Sequence, residues 1–349
     1  MDLLSAYNAV NVILDGIDFG ALFDGFHKYR FALYSSKEII IDGRAIPYEE
    51  GFRGNTSILY EGEYMAIWNM EMDPVEDPER LAYCLVHEMF HCHQQTNNET
   101  RYPSDLELLN YPDDVENFTR KYNENRYLAD ACELRDILSL RRFACIRESR
   151  LERYPSMVLQ ELKAETLEGM AEYVGLKALQ RINAEKYNAI ISDYLGKLRA
   201  EGALLFDVRK ISYFSGAIYF LCLEMFGLCI KNAFDSKQTA YEQNAIDREG
   251  ISAEVLSYDF VQRCYAELMR ERQAEIREHI QRSKYIECKS FICGYDPMNM
   301  FRVGDLVYCR HFVCLNESGE IRTFNSAVVL KLAEGADQEV TGYYPRTDC

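Results

Sequence analysis

The sequence predicts an α+β fold in three parts, on three observations. Up to about residue 75, short runs rich in β-branched and aromatic residues alternate with turn dipeptides. From 76 to about 284, helix formers and mixed charges dominate, interrupted by a few Pro and Gly clusters. After Lys284 the composition shifts to Tyr, Cys, Phe, Val and Gly with frequent turn signals, which predicts a small β domain over 285–349. A chain of 349 residues, 48% hydrophobic, is long enough to bury a large core.

The first part opens with a helix and continues with strands over 31–34, 38–41, 57–60 and 64–69. Asp42-Gly43 and Glu61-Gly62 mark turns, and the second predicts a hairpin. The second part opens with the best-marked helix of the chain. Asp77 reads as its N-cap and Pro78 as its first helical residue, while the run Leu-Ala-Tyr-Cys-Leu-Val over 81–86 is apolar on every face. A helix apolar all round is a buried one. Breaks are expected near 97–105, at Tyr111-Pro112, at Tyr154-Pro155 and near 202–207. The stretch 113–150 mixes helix formers with dense charge, as a partly solvated helix would. A further helix opens near Pro155 and runs to about Ile182, with Glu161, Glu165, Glu168 and Glu172 in one stripe. The plain reading of such a stripe is a solvated face, and it is preferred for Glu161. In the third part, Arg302-Val-Gly-Asp305 and Asn316-Glu-Ser-Gly319 read as entries and turns of a small barrel-like sheet.

The buried helix carries His87-Glu88-Met89-Phe90-His91. This HExxH spacing sets two imidazoles at i and i+4 on one helix face, within joint reach of one tetrahedral ion, with a carboxylate beside them. With only six His in the chain, a chance match is expected on the order of once in a hundred such chains. The plain alternative is a pair of core histidines, which would bury two rings and a Glu without a metal to repay their desolvation. His93, at i+2 from His91, points away from the ligand face.

A zinc peptidase site needs a third protein ligand, and the downstream Glu stripe holds the candidates. Here the sequence resembles the gluzincin superfamily of thermolysin-like zinc peptidases, especially its aminopeptidase branch. In that branch HExxH is followed, on a later helix, by an E-G-aromatic/apolar-A-x-Y/W segment whose first Glu binds zinc. The match is Glu168-Gly169-Met170-Ala171-Glu172-Tyr173, so the resemblance implies Glu168 as third ligand and a zincin-like catalytic core over 76–284. Tyr213-Phe214-Ser215-Gly216, 45 residues on, looks like the Y-x-K-G helix of those enzymes. The corresponding Tyr213 would hydrogen-bond the oxyanion; the plain reading is that Tyr213 and Tyr219 are two of 25 tyrosines packing in a helical core. A gluzincin strand before the HExxH helix pairs with extended substrate, a part that 64–72 could play unless it is an ordinary sheet strand.

The chain also departs from that pattern. Trp68-Asn69-Met70-Glu71-Met72 lacks the Gly and Asn of the G-x-M-E-N segment that grips a free amino end, so a typical aminopeptidase is not implied. Between His91 and Glu168 stand 76 residues, several times the usual spacing, and Ser215 replaces the Lys of Y-x-K-G.

Chemically, the constellation predicts metal-assisted hydrolysis, with zinc lowering the pKa of its water to about 7, and the resemblance implies peptide bonds as the target. Glu88 is the general base, and Tyr213 stabilises the oxyanion. Metal-bound His passes its other ring N–H to a carboxylate or carbonyl, and Glu172 and Glu165 are the candidates for that support. The alternative function is an inactive gluzincin-like scaffold acting as a binding or regulatory module, with the β domain holding a protein partner. The formal charge of −17 and pI near 4.9 argue against nucleic acid and anionic membrane as partners, and the resemblance implies a peptide or protein substrate. Arg141-Arg142 and Arg270-Glu-Arg272 read as solvated faces. No run reaches the roughly 18 apolar residues of a membrane span, and Met1-Asp2-Leu3-Leu4 has no basic leader, so a cytoplasmic location is expected.

The twelve Cys are scattered, as in a reduced protein. Cys288-x4-Cys293 and Cys309-x4-Cys314 approach the spacing of a four-thiolate zinc site, though cysteines in a β-rich core fit better because neither pair encloses Gly or Pro. Cys92 beside His91 is not a nucleophile pair, since neighbours on a helix point about 100° apart.

Overall fold

The computed structural model describes residues 2–109, 111 and 114–346; Pro112 of the expected break and Asp113 lie outside it, as do Met1, Asn110 and 347–349. The fold is α+β: an N-terminal sheet, a central helical region and a C-terminal antiparallel sheet.

Helix α1 (Leu3–Asp15) is capped by the Asp2 side chain on the Ser5 amide. Strands β1 (Arg30–Tyr34), β2 (Glu38–Ile41), β3 (Arg44–Pro47), β4 (Thr56–Tyr60) and β5 (Glu63–Asn69) follow. Both predicted turns have two consecutive positive φ angles, Asp42-Gly43 at 49° and 73° and Glu61-Gly62 at 52° and 87°. That geometry matches the twist of a two-residue hairpin. The first therefore closes a β2–β3 hairpin whose second strand the sequence reading did not include, since the exposed Arg44-Ala45 shows no apolar alternation. The sheet order is β3-β2-β1-β5-β4, with β1 and β5 parallel. Phe31, Leu33, Ala66 and Trp68 face the helices, while Ala32, Tyr34, Met65 and Ile67 pack around Phe52 on the other side. Burial on both faces explains the unbroken apolar run in β5.

Of the two readings of 64–72, the ordinary sheet strand holds. The strand within 64–72 pairs with β1 on one side and β4 on the other, so it is interior, and β4 is the edge strand on that side of the sheet, with β3 at the opposite edge.

Helix α2 (Pro78–Thr96) begins at Asp77, whose side chain accepts from the Glu79 amide. A short helix α3 (Asp105–Leu108) precedes α4 (Val115–Leu134) and α5 (Ile137–Arg153), then α6 (Pro155–Ala164), a π-helical turn (Glu165–Gly169) and α7 (Met170–Ile182). Helices α8 (Ala184–Leu198) and α9 (Val208–Met225) close the core. The long, largely irregular stretch that follows contains only α10 (Ala240–Gln243) before α11 (Asp259–Gln281), a break beyond those expected within the almost entirely helical 76–284. Gly227, at φ +68°, ends α9, and Asn244 then binds both the Lys231 amide and carbonyl, replacing helical hydrogen bonds by side-chain ones.

The stretch 113–150 is also corrected. It forms two helices whose inner faces carry a buried ion cluster, not one partly solvated helix. Arg147 bridges Glu124 and Glu165, Arg150 bridges Glu124 and Glu161, and Lys121 pairs with Glu161 and Glu124. These six side chains are 0–4% exposed, and three cations balance three carboxylates. Glu161, read from sequence as solvated, is fully buried within it.

At the crossing of α9 and the π-helical turn the backbones touch. A Cβ on Gly169 would lie 2.6 Å from Gly216 Cα, and one on Gly216 would lie 2.7 Å from Gly169 Cα. Gly216→Ala is expected to destabilise the protein by about 2–3 kcal/mol, because backbone on both sides leaves the methyl nowhere to go. Urea denaturation measures this, and an unchanged midpoint would mean that the two helices separate without cost.

The C-terminal sheet comprises β6 (Ile286–Tyr295), β7 (Met300–Val303), β8 (Leu306–Cys309), β9 (Val313–Glu317), β10 (Glu320–Phe324), β11 (Val328–Leu332) and β12 (Glu339–Pro345), in the order β10-β9-β6-β12-β11-β8-β7. One face packs on Ile276 of α11, and the other encloses Ile292, Val307, Leu330 and Val340 together with Leu106 of α3. Its cysteines do not gather around a point. Cys293 Sγ meets the Cys314 carbonyl, Cys314 Sγ meets Thr323, Cys288 meets Ser290, and Cys309 is buried in the core.

Candidate metal centre

Two segments build the site. His87, Glu88 and His91 project from the middle of α2, which is fixed by the N-terminal sheet on one side and α7 on the other. Glu168 comes from the π-helical turn. A π turn holds an extra residue, so it changes the face presented before and after it. The predicted Glu stripe is accordingly split: Glu161 and Glu165 face the ion cluster, whereas Glu168 and Glu172 face the histidines.

The donor atoms converge. His91 Nε2 lies 3.1 Å from His87 Nε2 and 3.1 Å from Glu168 Oε2, and His87 Nε2 lies 3.6 Å from the same oxygen. A tetrahedral ion with bonds of about 2.0–2.1 Å separates its ligand atoms by about 3.4 Å, so the three spacings fit one small cation. Among the described residues this is the one group of three or more His, Cys, Asp or Glu side chains so arranged.

Each imidazole is held from behind. His87 Nδ1 is 2.9 Å from Glu172 Oε2, and the other Glu172 oxygen accepts from the hydroxyls of Tyr83 and Tyr194. His91 Nδ1 is 2.7 Å from Gln94 Oε1, and Gln94 Nε2 donates to the Leu167 carbonyl at 2.9 Å. With both Nδ1 atoms engaged, both Nε2 lone pairs are free to face the centre. Glu165, the other candidate for this support, does not reach the histidines. Its carboxylate is bound by Arg147 and the Ser215 hydroxyl, because the π turn aims it at the ion cluster.

The electrostatics favour a positive centre. Burial opposes ionisation of Glu168, yet His91 and His87 hold its carboxyl well below the usual range. Burial likewise opposes charging of His87, but hydrogen bonds to Glu168 and Glu172 push its pKa well above that of a free imidazole. Glu88 is 7% exposed, and burial raises its pKa despite the neighbouring rings. The Tyr213 ring lies parallel to that of His87, centroids 6.0 Å apart, and burial, then the charge of Glu168, pushes its phenol far up, so it stays a donor. Tyr219 belongs to the core, with its hydroxyl on the Asn244 carbonyl. His93 sits on the opposite face of α2 among Phe23, Phe26, Phe90 and Phe234, and burial lowers its pKa to about 4.

Beside the centre is a recess of about 120 Å³ lined by Thr56 and Ser57 of β4, Tyr102, His91 and Glu168. Four contributors escaped the sequence reading. Gln94 stands at i+3 from His91 and Tyr83 at i−4 from His87, so helix spacing alone could have flagged them. Tyr194 and Arg209, whose guanidinium reaches Glu168, come from separate helices and carry no local signal.

The fold and centre thus define an α+β protein with a buried His/His/Glu group suited to a divalent cation. Compared with known proteins, the chain matches no family model, no curated protein and no solved structure. No described helix is long and apolar enough to cross a membrane.

Proposed function

We propose that the protein is a zinc-dependent hydrolase of peptide bonds, of the gluzincin kind. The observation that carries this reading is the convergence of His87, His91 and Glu168 with Glu88, a buried carboxylate that is no ligand, next to them on the same helix. A purely structural zinc takes four protein ligands and needs no adjacent base. Zinc at this position would supply a Lewis acid that acidifies water to a pKa of about 7 and polarises a carbonyl.

The protein's own groups divide the remaining work. Glu88 takes the proton of the attacking water and returns it to the leaving amine, and its raised pKa suits both directions. Tyr213 stays protonated and donates to the oxyanion. Glu172 and Gln94 keep the imidazoles in the tautomer that presents Nε2. The free edge of β4, with Thr56 and Ser57 beside His91, offers main-chain hydrogen bonds to an extended peptide, which makes an unstructured peptide segment the substrate class.

Elemental analysis of chelator-free protein tests the centre. Roughly one zinc per chain is expected for the wild type and almost none for His91→Ala, which removes one of the three protein ligands. Equal metal content in both proteins would place the ion elsewhere and end this reading.

A further inference from the structure

Glu168 uses its two oxygens differently. Oε2 faces the histidines, while Oε1 lies 3.3 Å from Nη2 of Arg209. The other terminal nitrogen of Arg209 is ion-paired to Asp105. Asp105 is the first residue of α3, and the next residue, Leu106, is 3% exposed inside the core of the C-terminal sheet beside Ile292, Val307 and Leu330. On its other side α3 is tied to α6, where Gln160 accepts from the Ser104 amide at 2.8 Å and donates to Glu107. The C-terminal sheet therefore reaches the metal centre through one peptide bond and two ion pairs.

We infer that Arg209 and Asp105 are positioning residues through which the C-terminal β domain sets how Glu168 meets the metal, an inference that rests on the metal reading above. A carboxylate free on both sides can chelate an ion through both oxygens. With Oε1 engaged by Arg209, Glu168 would offer a bound ion only Oε2, which would keep a coordination position available for catalysis. A lone guanidinium there would also repel the cation, and Asp105 cancels that charge while fixing the planar fork. Leu106 helps to place Asp105 by anchoring α3 in the sheet's core, alongside the hold of Gln160 on the Ser104 amide and Glu107. The β domain thus acts as part of the catalytic architecture and not as an appended module.

The test is the visible absorption of the full-length protein loaded with cobalt, whose intensity falls as coordination number rises. Arg209→Met is expected to lower the extinction about two-fold or more as Glu168 becomes bidentate. Arg209→Lys should recover part of it, since an ammonium can still engage one oxygen. Asp105→Asn and Leu106→Ala should shift the spectrum the same way by less, and Asp105→Asn should add nothing in an Arg209→Met background. Thermal melting separates these shifts from unfolding, and Asp105→Asn, a near-isosteric change at a partly exposed side chain, serves if Leu106→Ala proves unstable. Wild-type spectra in Arg209→Met, or additive effects of the Asp105 and Arg209 changes, overturn the inference. So does a Leu106→Ala variant that folds and keeps the wild-type spectrum. A wild-type protein that takes up no cobalt instead defeats the metal reading itself.

Discussion

Glu88→Gln is expected to keep its metal and lose its activity. The substitution preserves volume and planarity in a side chain that is 7% exposed, and it touches none of the three ligand atoms. Metal content should therefore stay at roughly one ion per chain, as in the wild type. Glutamine cannot accept the proton of an attacking water, and removing a general base costs about 10²–10⁴ in rate. An assay with a mixture of unstructured peptides, read by mass spectrometry, provides both the activity and the cleavage positions. Hydrolysis that survives at the wild-type rate would remove Glu88 from the chemistry. A wild type that holds zinc and cleaves nothing would favour the scaffold alternative, in which the same centre only shapes a binding surface.

The second large effect is on stability. Glu124 is buried between Lys121, Arg147 and Arg150, and it is the one carboxylate of the cluster that pairs with all three cations at 3.3 Å or less. Glu124→Ala leaves three cations facing two carboxylates in a site closed to water, so a loss of about 3–5 kcal/mol is expected. The same cluster predicts a pH dependence. Burial opposes ionisation of Glu124, but Arg147, Arg150 and Lys121 together pull its pKa down to about 2, and Arg150 and Lys121 hold Glu161 well below the usual value. Carboxylates whose folded-state pKa lies below that of the unfolded chain stabilise the fold fully above about pH 4.5, and this contribution declines as pH falls toward 2. Urea midpoints between pH 7 and pH 2.5 should drop steeply below pH 4.5, with a shallower drop in Glu124→Gln. A flat profile would mean that the cluster is open to solvent, where ion pairs contribute little.

The ion cluster also shows where sequence reading stops. In 113–150 the charges are dense and mixed, the pattern of a solvated helix, and only the packing of α4, α5 and α6 against one another turns one face of each inward. Charge pattern along one helix cannot say whether the partner that neutralises it is water or another helix. The irregular stretch after α9 was missed for a related reason, since its backbone is held by Asn244 and by Arg101, which reaches Asn232 and the Gln238 carbonyl from far along the chain. Whether 64–72 lies at an edge or inside the sheet stayed open in the sequence because hairpin signals fix which strands are neighbours in sequence, while the parallel pairing of β1 with β5 is a long-range event.

What the sequence by itself determined is local. Asp77-Pro78 starts the helix, HExxH puts His87 and His91 on one face with Glu88 beside them, and Glu61-Gly62 closes a hairpin. Each depends on dihedral preference or on the 3.6-residue repeat, which neighbouring residues alone decide. The resemblance singled out Glu168 and the solvated reading set Glu161 aside, but Glu172 and Glu165 stood as equal candidates to support the imidazoles. Only the tertiary structure decided between them, because the π-helical turn and the Gly169–Gly216 contact rotate one pair toward the histidines and the other toward Arg147 and Arg150. Gln94, Tyr194, Arg209 and the approach of Asp105 likewise belong to the assembled fold, where residues distant in the chain meet because their helices pack.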